Sequence, residues 1–374
     1  MKALFISNDP NIFDPQSAVR ARLRDYAAAI GELHIISAGK REAQEEQDGV
    51  LHVYPVSGFI VFRIFAIVRK ARAVIRARSI DVVSAQDPFE HGWAAARAVL
   101  GTTARLHIQV HTDFLSPYFA KESYKNRIRV RMATRILPRA YGIRVVSERI
   151  KQSLIARYAN RIQEPVVIPI AVSLSVPTST PLPPHSFSFA LIAVGRLEKE
   201  KRVFDLLEAL SLVRTKYPNT GLFIVGDGKE RAALVRRARA LGLSGNVIFL
   251  GNQPNARVFL AHAHAFVHAS AYEGYGLSLV EAALAKVPIV TTDVGVVGEV
   301  FTAGSDVLAS PVGDIQGVAS NIVRLIEDNQ LRRVLMLSAY DAVMRHLGAQ
   351  TDQPVRIASD LASVLNSGNT SINS

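Results

Sequence analysis

At 374 residues, 49% of them hydrophobic and 20% charged, the chain has the length for two domains and the composition of a soluble globular protein rather than a disordered one. It has no cysteine, which excludes disulfides, a cysteine-ligated zinc site and a thiol nucleophile, and makes a reducing compartment the simpler expectation. The net charge of +12 is uneven: residues 1–175 hold 26 Lys and Arg against 15 Asp and Glu, and the remainder 18 against 17. An acidic partner is therefore expected for the first half alone: nucleic acid, anionic membrane or a phosphorylated substrate.

The chain opens on an apolar strand at 3–7, too short for the apolar region of a secretory leader. No run reaches the roughly 18 apolar residues of a membrane span. The expected location is cytoplasmic, with peripheral attachment at the inner face of the cell membrane left open. Further strand-like runs follow at 33–37, 80–85, 106–110, 143–147 and 166–168, with helical patterns such as 17–30 and 60–78 between them. This alternation predicts a doubly wound parallel sheet. Residues 177–185, PTSTPLPPH, have the composition of a linker. Strands then recur at 189–194, 221–225, 247–250, 265–270 and 289–292. The expected fold class is α/β, two Rossmann-like doubly wound domains facing across a ligand-binding cleft. The expected boundaries are 1–177 for the first domain and 186–353 for the second. A helix at 354–366 is expected to return to the N-terminal domain, and 367–374 to form a frayed tail. The glycosylation sequon Asn369-Thr370-Ser371 in that tail has no meaning in a cytoplasmic protein.

The most informative stretch is 265–282, AFVHASAYEGYGLSLVEA. An apolar strand runs into a glycine-bearing turn and then into helical spacing from Leu277, with Leu277, Val280 and Leu284 on one face. Free N–H groups at such a helix start, with the positive end of the helix dipole, make an anion site. Two carboxylates bracket it. Glu281 suits a ribose diol, and Glu273 lies in the turn. Upstream, Gly195-Arg196-Leu197-Glu198-Lys199-Glu200-Lys201 leaves another strand end with an Arg fork and a Lys point charge, a suitable pair for a diphosphate, although a solvated basic loop reads equally well. Gly226-Asp227-Gly228 is a further glycine-rich strand exit. His262, His264 and His268 could be tested for metal, but strand alternation argues for burial, and no metal is expected.

Taken together these segments resemble the family-4 retaining glycosyltransferases of the GT-B fold. The resemblance rests on G-R-L-x-x-x-K at Gly195 to Lys201, the G-D-G turn, the F-L-G strand at Phe249 to Gly251, and E-x7-E from Glu273 to Glu281 with the core Gly274-Tyr275-Gly276-Leu277. It implies that Arg196 and Lys201 hold the donor diphosphate, Glu281 the nucleotide ribose and Glu273 the sugar hydroxyls, with the N–H groups of Leu277 and Ser278 on phosphate. In the first half, Gln109-Val110-His111-Thr112-Asp113 resembles the family's histidine loop. Val146-Ser147-Glu148 and Ile168-Pro169-Ile170 resemble its V-S-E and I-P-N segments. The departures are the missing Gly-Gly pair near Ser17-Ala18, Ile170-Ala171 in place of Asn-Gly, and Gly295-Val296-Val297-Gly298-Glu299 in place of G-G-x-P-E. The residues assigned to catalysis are His111, Arg196, Lys201 and Glu273. Those assigned to substrate binding are Gly195, Gly226, Gly228, Gly274, Tyr275, Gly276, Leu277, Ser278 and Glu281.

The expected reaction is transfer from a UDP- or GDP-sugar to an acceptor hydroxyl, lipid-linked glycan among the candidates, without cofactor or metal. The alternatives are a sugar-nucleotide epimerase of the same fold and a basic nucleic-acid-binding protein. The second lacks any helix-turn-helix, RNP or zinc pattern, and no nucleic-acid partner is expected. An anionic membrane is the expected partner of the basic half. In 59–78, the stripe Ile60, Ile64, Ile67, Ala71 and Val74 lies beside basic rows of Arg63 and Lys70 and of Arg69, Arg72 and Arg76, the pattern of an interfacial helix. A second basic cluster follows at 121–139. The same stripe would also serve to cover the sheet.

Overall fold

The computed structural model describes residues 1–39, 44–58, 60–174, 180–253, 255–349 and 352–366. Two compact units divide the chain: Met1–Pro169 with Thr351–Ser374, and Ile170–Gln350.

The first unit is built on an eight-stranded sheet. Its strands are β1 (Lys2–Ser7), β2 (Glu32–Ala38), β3 (Glu46–Asp48), β4 (Leu51–Val56), β5 (Val82–Ala85), β6 (Arg105–Val110), β7 (Gly142–Val145) and β8 (Val166–Val167), in the spatial order β3-β4-β2-β1-β5-β6-β7-β8. Every pairing is parallel except β3 with β4. Ala3 to Ile6, Leu33, Ile35, Ile36, Ile108 and Val110 are buried, as a sheet covered on both faces requires. The covering helices are α1 (Ala18–Ile30), α2 (Ile60–Arg78), α3 (Glu90–Ala98), the short α4 (Phe119–Glu122), α5 (Tyr124–Ile136) and α6 (Glu148–Tyr158). Ser147, expected to end a strand, instead caps α6 through its side chain.

The second unit carries a six-stranded parallel sheet of β9 (Phe189–Val194), β10 (Thr220–Val225), β11 (Val247–Gly251), β12 (Ala265–Val267), β13 (Ile289–Thr292) and β14 (Leu308–Ser310). Its order is β11-β10-β9-β12-β13-β14. The helices are α7 (Val203–Arg214), α8 (Arg231–Ala240), α9 (Leu277–Leu284), α10 (Ile315–Glu327) and α11 (Asn329–Gly348). The last helix, α12 (Gln353–Asn366), packs on the first unit: Ile357, Leu361 and Val364 share a core with Leu23, Tyr26, Ala27 and Ile30 of α1.

The division at Pro169 falls before the expected linker. Part of that linker lies outside the described residues. Beyond it, Thr180 N–H donates to Val258 O at 2.9 Å and Leu182 is buried, so this stretch packs on the second unit. The tail at 367–374, with its sequon, also lies outside the described residues.

The apolar stripe of α2 resolves toward the sheet. Ile67, Ala71 and Val74 are buried, because a helix over a sheet must place its branched row inward. These three members of the stripe are thus committed to the sheet, while Ile64 is half-buried and lines a groove beside α3. Among the described residues, the large apolar side chains that α2 exposes are Phe62 and Phe65. The expected residue Phe59 and the side chain of Ile60 lie outside the described residues.

Candidate active site

In the second unit the conspicuous chemistry lies at the carboxyl ends of β9, β10 and β12. The exits of β9 and β10 are locked together. Gly195 N–H donates to Val225 O at 3.0 Å, Leu197 N–H to Asp227 O at 2.9 Å, and Glu230 N–H to Leu197 O at 2.9 Å. A Cβ at Gly226 would sit 1.9 Å from Gly195 O, and one at Gly228 would sit 2.4 Å from Leu197 O. Only glycine lets these loops close on each other, which explains the G-D-G turn by packing before any ligand is invoked. Beside them lies a cavity of about 120 Å³ lined by Gly195, Arg196, Gly226, Asp227, Asn252 and Gln253.

Glu273 is the electrostatic centre. Lys201 Nζ donates to its Oε1 at 2.5 Å and Ser270 Oγ at 2.8 Å, with His268 Nε2 3.0 Å from the same oxygen. A carboxylate can only accept, so His268 carries its proton on Nε2 toward Glu273. Its Nδ1 lies 3.1 Å from the hydroxyl of Thr291, which itself donates to Thr292 O at 3.0 Å. Burial alone would raise the Glu273 carboxyl. The His268 hydrogen bond and the Lys201 ammonium override it and hold the group well below the usual carboxylate range. The β12 strand ends at Val267 rather than at the expected 270, and the residues beyond it turn toward Glu273.

The turn ends at Gly276, which adopts φ +92° before α9, and no side chain caps the helix. Leu277 and Ser278 are thus the first residues of a helix whose start is formed by glycine backbone. Gly274 lies within the turn. The Tyr275 side chain is only 2% exposed and its hydroxyl lies 3.1 Å from His346 Nε2, so this expected binding residue has only backbone to offer a ligand. Glu281 is partly buried on α9; burial pushes its carboxyl up against the pull of Arg257. Arg196 behaves differently from Lys201. Its side chain is 77% exposed and, among the described residues, pairs with Glu200 alone, at 3.2 Å.

His111 belongs to the first unit, just beyond β6. Its Nε2 lies 3.1 Å from Gln109 Oε1, which also accepts from Arg144 Nη1 at 2.9 Å. An arginine can only donate, so the Gln109 oxygen is fixed toward it, His111 carries its proton on Nε2, and Nδ1 is left as the acceptor. The chain of bonds continues inward. Gln109 Nε2 donates to Ser84 Oγ at 2.9 Å, Ser84 Oγ meets His107 Nδ1 at 2.8 Å, and His107 Nε2 meets Asp360 of α12 at 3.1 Å. Burial, reinforced by Arg144, pushes His111 down to about 3 and keeps it neutral. Nearby Asp113 is buried, with no hydrogen-bond partner for Oδ1 among the described residues and its carboxyl raised by burial.

Residues 186–341 match the family model described as glycosyl transferases group 1, and residues 19–176 match glycosyltransferase family 4. The chain is a glycosyltransferase: both models describe such enzymes, and between them they span most of its length. The N-acetyl-alpha-D-glucosaminyl L-malate synthase of Bacillus anthracis is 33% identical over 153 residues, covering 41% of this chain and 40% of that relative. The likeness thus spans about two-fifths of the curated relative's length. Among solved structures, sucrose-phosphate synthase from Thermosynechococcus elongatus superposes with TM-score 0.80 at 16% identity, covering 98% of this chain and 99% of that one. Anabaena HepE in complex with UDP-glucose gives TM-score 0.71 at 21% identity, covering 98% and 99%. At these identities the two structures establish the GT-B glycosyltransferase fold.

Within this glycosyltransferase, Lys201 and Glu273 are in direct contact, and Gly195, Gly226 and Gly228 form one loop pair. Sequence reasoning left out His268, Ser270 and Thr291, which complete the Glu273 cluster. His268 stood five residues before Glu273 as a strand-end histidine, a signal that alternation led us to read as burial alone. Gln109 and Arg144, which orient His111, carried no role either.

Proposed function

We propose that the protein is a retaining glycosyltransferase. It transfers a sugar from a UDP- or GDP-sugar to an acceptor hydroxyl on a lipid-linked glycan, at the inner face of the cell membrane. The observation that carries this reading is the Lys201–Glu273–His268 cluster beside the uncapped start of α9. A nucleotide diphosphate gains charge as it leaves. Lys201 has three donors, so it can hold Glu273 and a phosphate oxygen together, and Arg196 and the Leu277 and Ser278 amides complete the anion site. Preorganised charge of this kind usually contributes more to catalysis than any other single effect. Glu273, held anionic, accepts hydrogen bonds from the donor sugar hydroxyls. His111 offers Nδ1 to the sugar, and Glu281 takes the ribose diol. HepE, of the same fold, is described in complex with UDP-glucose, which supports a nucleotide-sugar donor.

The test is a screen of UDP-, GDP- and ADP-sugars for thermal stabilisation, followed by transfer to a lipid-linked acceptor and assignment of the product anomer. One donor should stabilise the protein, since a ligand that binds only the folded state raises its apparent stability. Release of free or isomerised sugar without transfer would favour the epimerase; an inverted product would end the retaining assignment.

A further inference from the structure

On the first unit, away from the strand-end loops, α3 lies low between two longer helices. It is nine residues long and rich in small side chains, with Gly92, Ala94, Ala95 and Ala98 buried. α2 and α5 rise on either side and leave a groove of about 690 Å³. This is the size of a small-molecule pocket, which runs from about 300 to 1,000 Å³. Its apolar lining includes Phe65, Trp93, Leu100 and Met132. Phe65 meets Trp93 edge to face at 5.9 Å, yet is 59% exposed, and Phe62 beside it is 73% exposed. Isolated apolar side chains on a surface mean little, but a contiguous aromatic groove marks a binding surface.

The rim is basic. Arg97 lies 5.3 Å over the Trp93 ring, and Arg135 and Arg139 stand on the α5 side. None of these arginines forms an ion pair with a carboxylate among the described residues. Glu90, the one acid in the lining, is already held by Arg129 at 3.1 Å and Lys125 at 3.6 Å. The groove therefore presents apolar walls beside uncompensated positive charge, in the half of the chain that carries nearly all the net charge. That is complementary to an amphiphile with a hydrocarbon chain joined to an anion.

We propose that the α2–α3–α5 face docks on an anionic membrane and seats a phospholipid there, its hydrocarbon between Phe65, Trp93 and Leu100 and its phosphate on Arg97, Arg135 and Arg139. The inference builds on the lipid-linked acceptor reading, because it brings the enzyme to the membrane where such an acceptor resides. It differs from the interfacial stripe expected from the sequence, of which Ile67, Ala71 and Val74 pack inward while Ile64 reaches the groove.

Trp93 is the single tryptophan of the chain, so its emission reports on this groove alone. The experiment uses the full chain with phosphatidylglycerol or phosphatidylcholine vesicles at low salt. Phosphatidylglycerol should shift Trp93 emission to the blue, and brominated acyl chains should quench it. Phosphatidylcholine should do neither, and added salt should reverse the effect. The triple variant Arg97→Ser, Arg135→Ser, Arg139→Ser should weaken vesicle binding by about 100-fold, roughly fivefold for each charge removed. Phe65→Ser, at an exposed position that the fold does not need, should weaken it about tenfold through lost apolar contact. Binding that leaves Trp93 emission unchanged, equal binding to both lipids, or no binding to either overturns the proposal. A lipid-independent shift that grows with protein concentration assigns the groove to a second copy of the chain and overturns it as well. Donor stabilisation is measured without vesicles, so failure here leaves the nucleotide-sugar reading standing, and the reverse.

Discussion

The two units place their charge differently. In the second, basic and acidic residues nearly balance, and the decisive ones face each other at the strand ends: Lys201 against Glu273, Arg196 against Glu200. In the first, much of the excess positive charge lies on the outer helices, while the strand ends hold a hydrogen-bonded chain from the buried Arg144 through Gln109 to the neutral His111. Charge that must stabilise a developing anion has to be preorganised, and partners of opposite sign hold it in place. Charge that meets an extended surface needs no partner and is more effective without one. On this view the second unit handles the donor and the first meets a surface.

The largest test of this contrast is Glu273→Gln. The change keeps the shape but removes the negative charge on which Lys201, His268 and Ser270 converge. Loss of a charge-assisted contact to the reacting sugar costs about 1.5–3 kcal/mol, or about 10- to 150-fold in kcat. The upper end is expected because several donors lose one acceptor together. Steady-state kinetics with the identified donor checks it. An unchanged kcat with raised donor KM would move Glu273 from the reacting sugar to ordinary binding.

The next pair separates buried from exposed charge. Lys201→Ala removes a mostly buried ammonium, whereas Arg196→Ala removes a side chain in solvent. We expect roughly a 30-fold loss in kcat/KM for Lys201→Ala and about tenfold for Arg196→Ala, within the range for a charged hydrogen bond to phosphate. The fold should persist by circular dichroism in both. Near-normal transfer by the double variant would end the diphosphate assignment.

Much of this was legible in the residues. Continuous apolar runs at 3–7, 189–194 and 289–292 can only be strands buried on both faces, and the α/β order follows from their spacing. The Glu273-to-Glu281 stretch announced its turn and helix because glycine and the apolar face of α9 agree. The β3–β4 hairpin did not show. β3 is the polar Glu-Gln-Asp, β4 contains Pro55, and both are defined by pairing rather than by pattern. The Glu273 cluster was half legible for a related reason: Ser270 is two residues from His268, but Thr291 stands on β13, and only the sheet brings it there. On α2 the helical row was visible, but which side faced the sheet was not, since basic residues flank the stripe on both sides.

The smallest expected effect turns on acid. In the first unit, burial pushes His34 down to about 4 and His111 down to about 3, each from an ordinary value of 6.5. For each, the unfolded chain binds the proton more readily than the folded one between these limits, so stability rises with pH there and falls as pH drops below about 6.5. Glu273 in the second unit also has a lowered carboxyl, but its ordinary value is 4.5, so its contribution is intact above that pH and is lost only as pH falls below it. From pH 6.5 to 5.5 the first unit should therefore lose up to about 1.4 kcal/mol for each proton taken up, while Glu273 costs the second unit nothing. Native-state hydrogen exchange, corrected for the intrinsic pH dependence of exchange, can follow the two units in one sample. Amides of β2 and β6 should lose more protection over that interval than those of β9, where His264, also lowered by burial, accepts from Ala190 N–H. His111→Asn should flatten the slope of the first unit by one proton. Equal loss in both units would place the acid-sensitive groups elsewhere and remove the contrast between the two units.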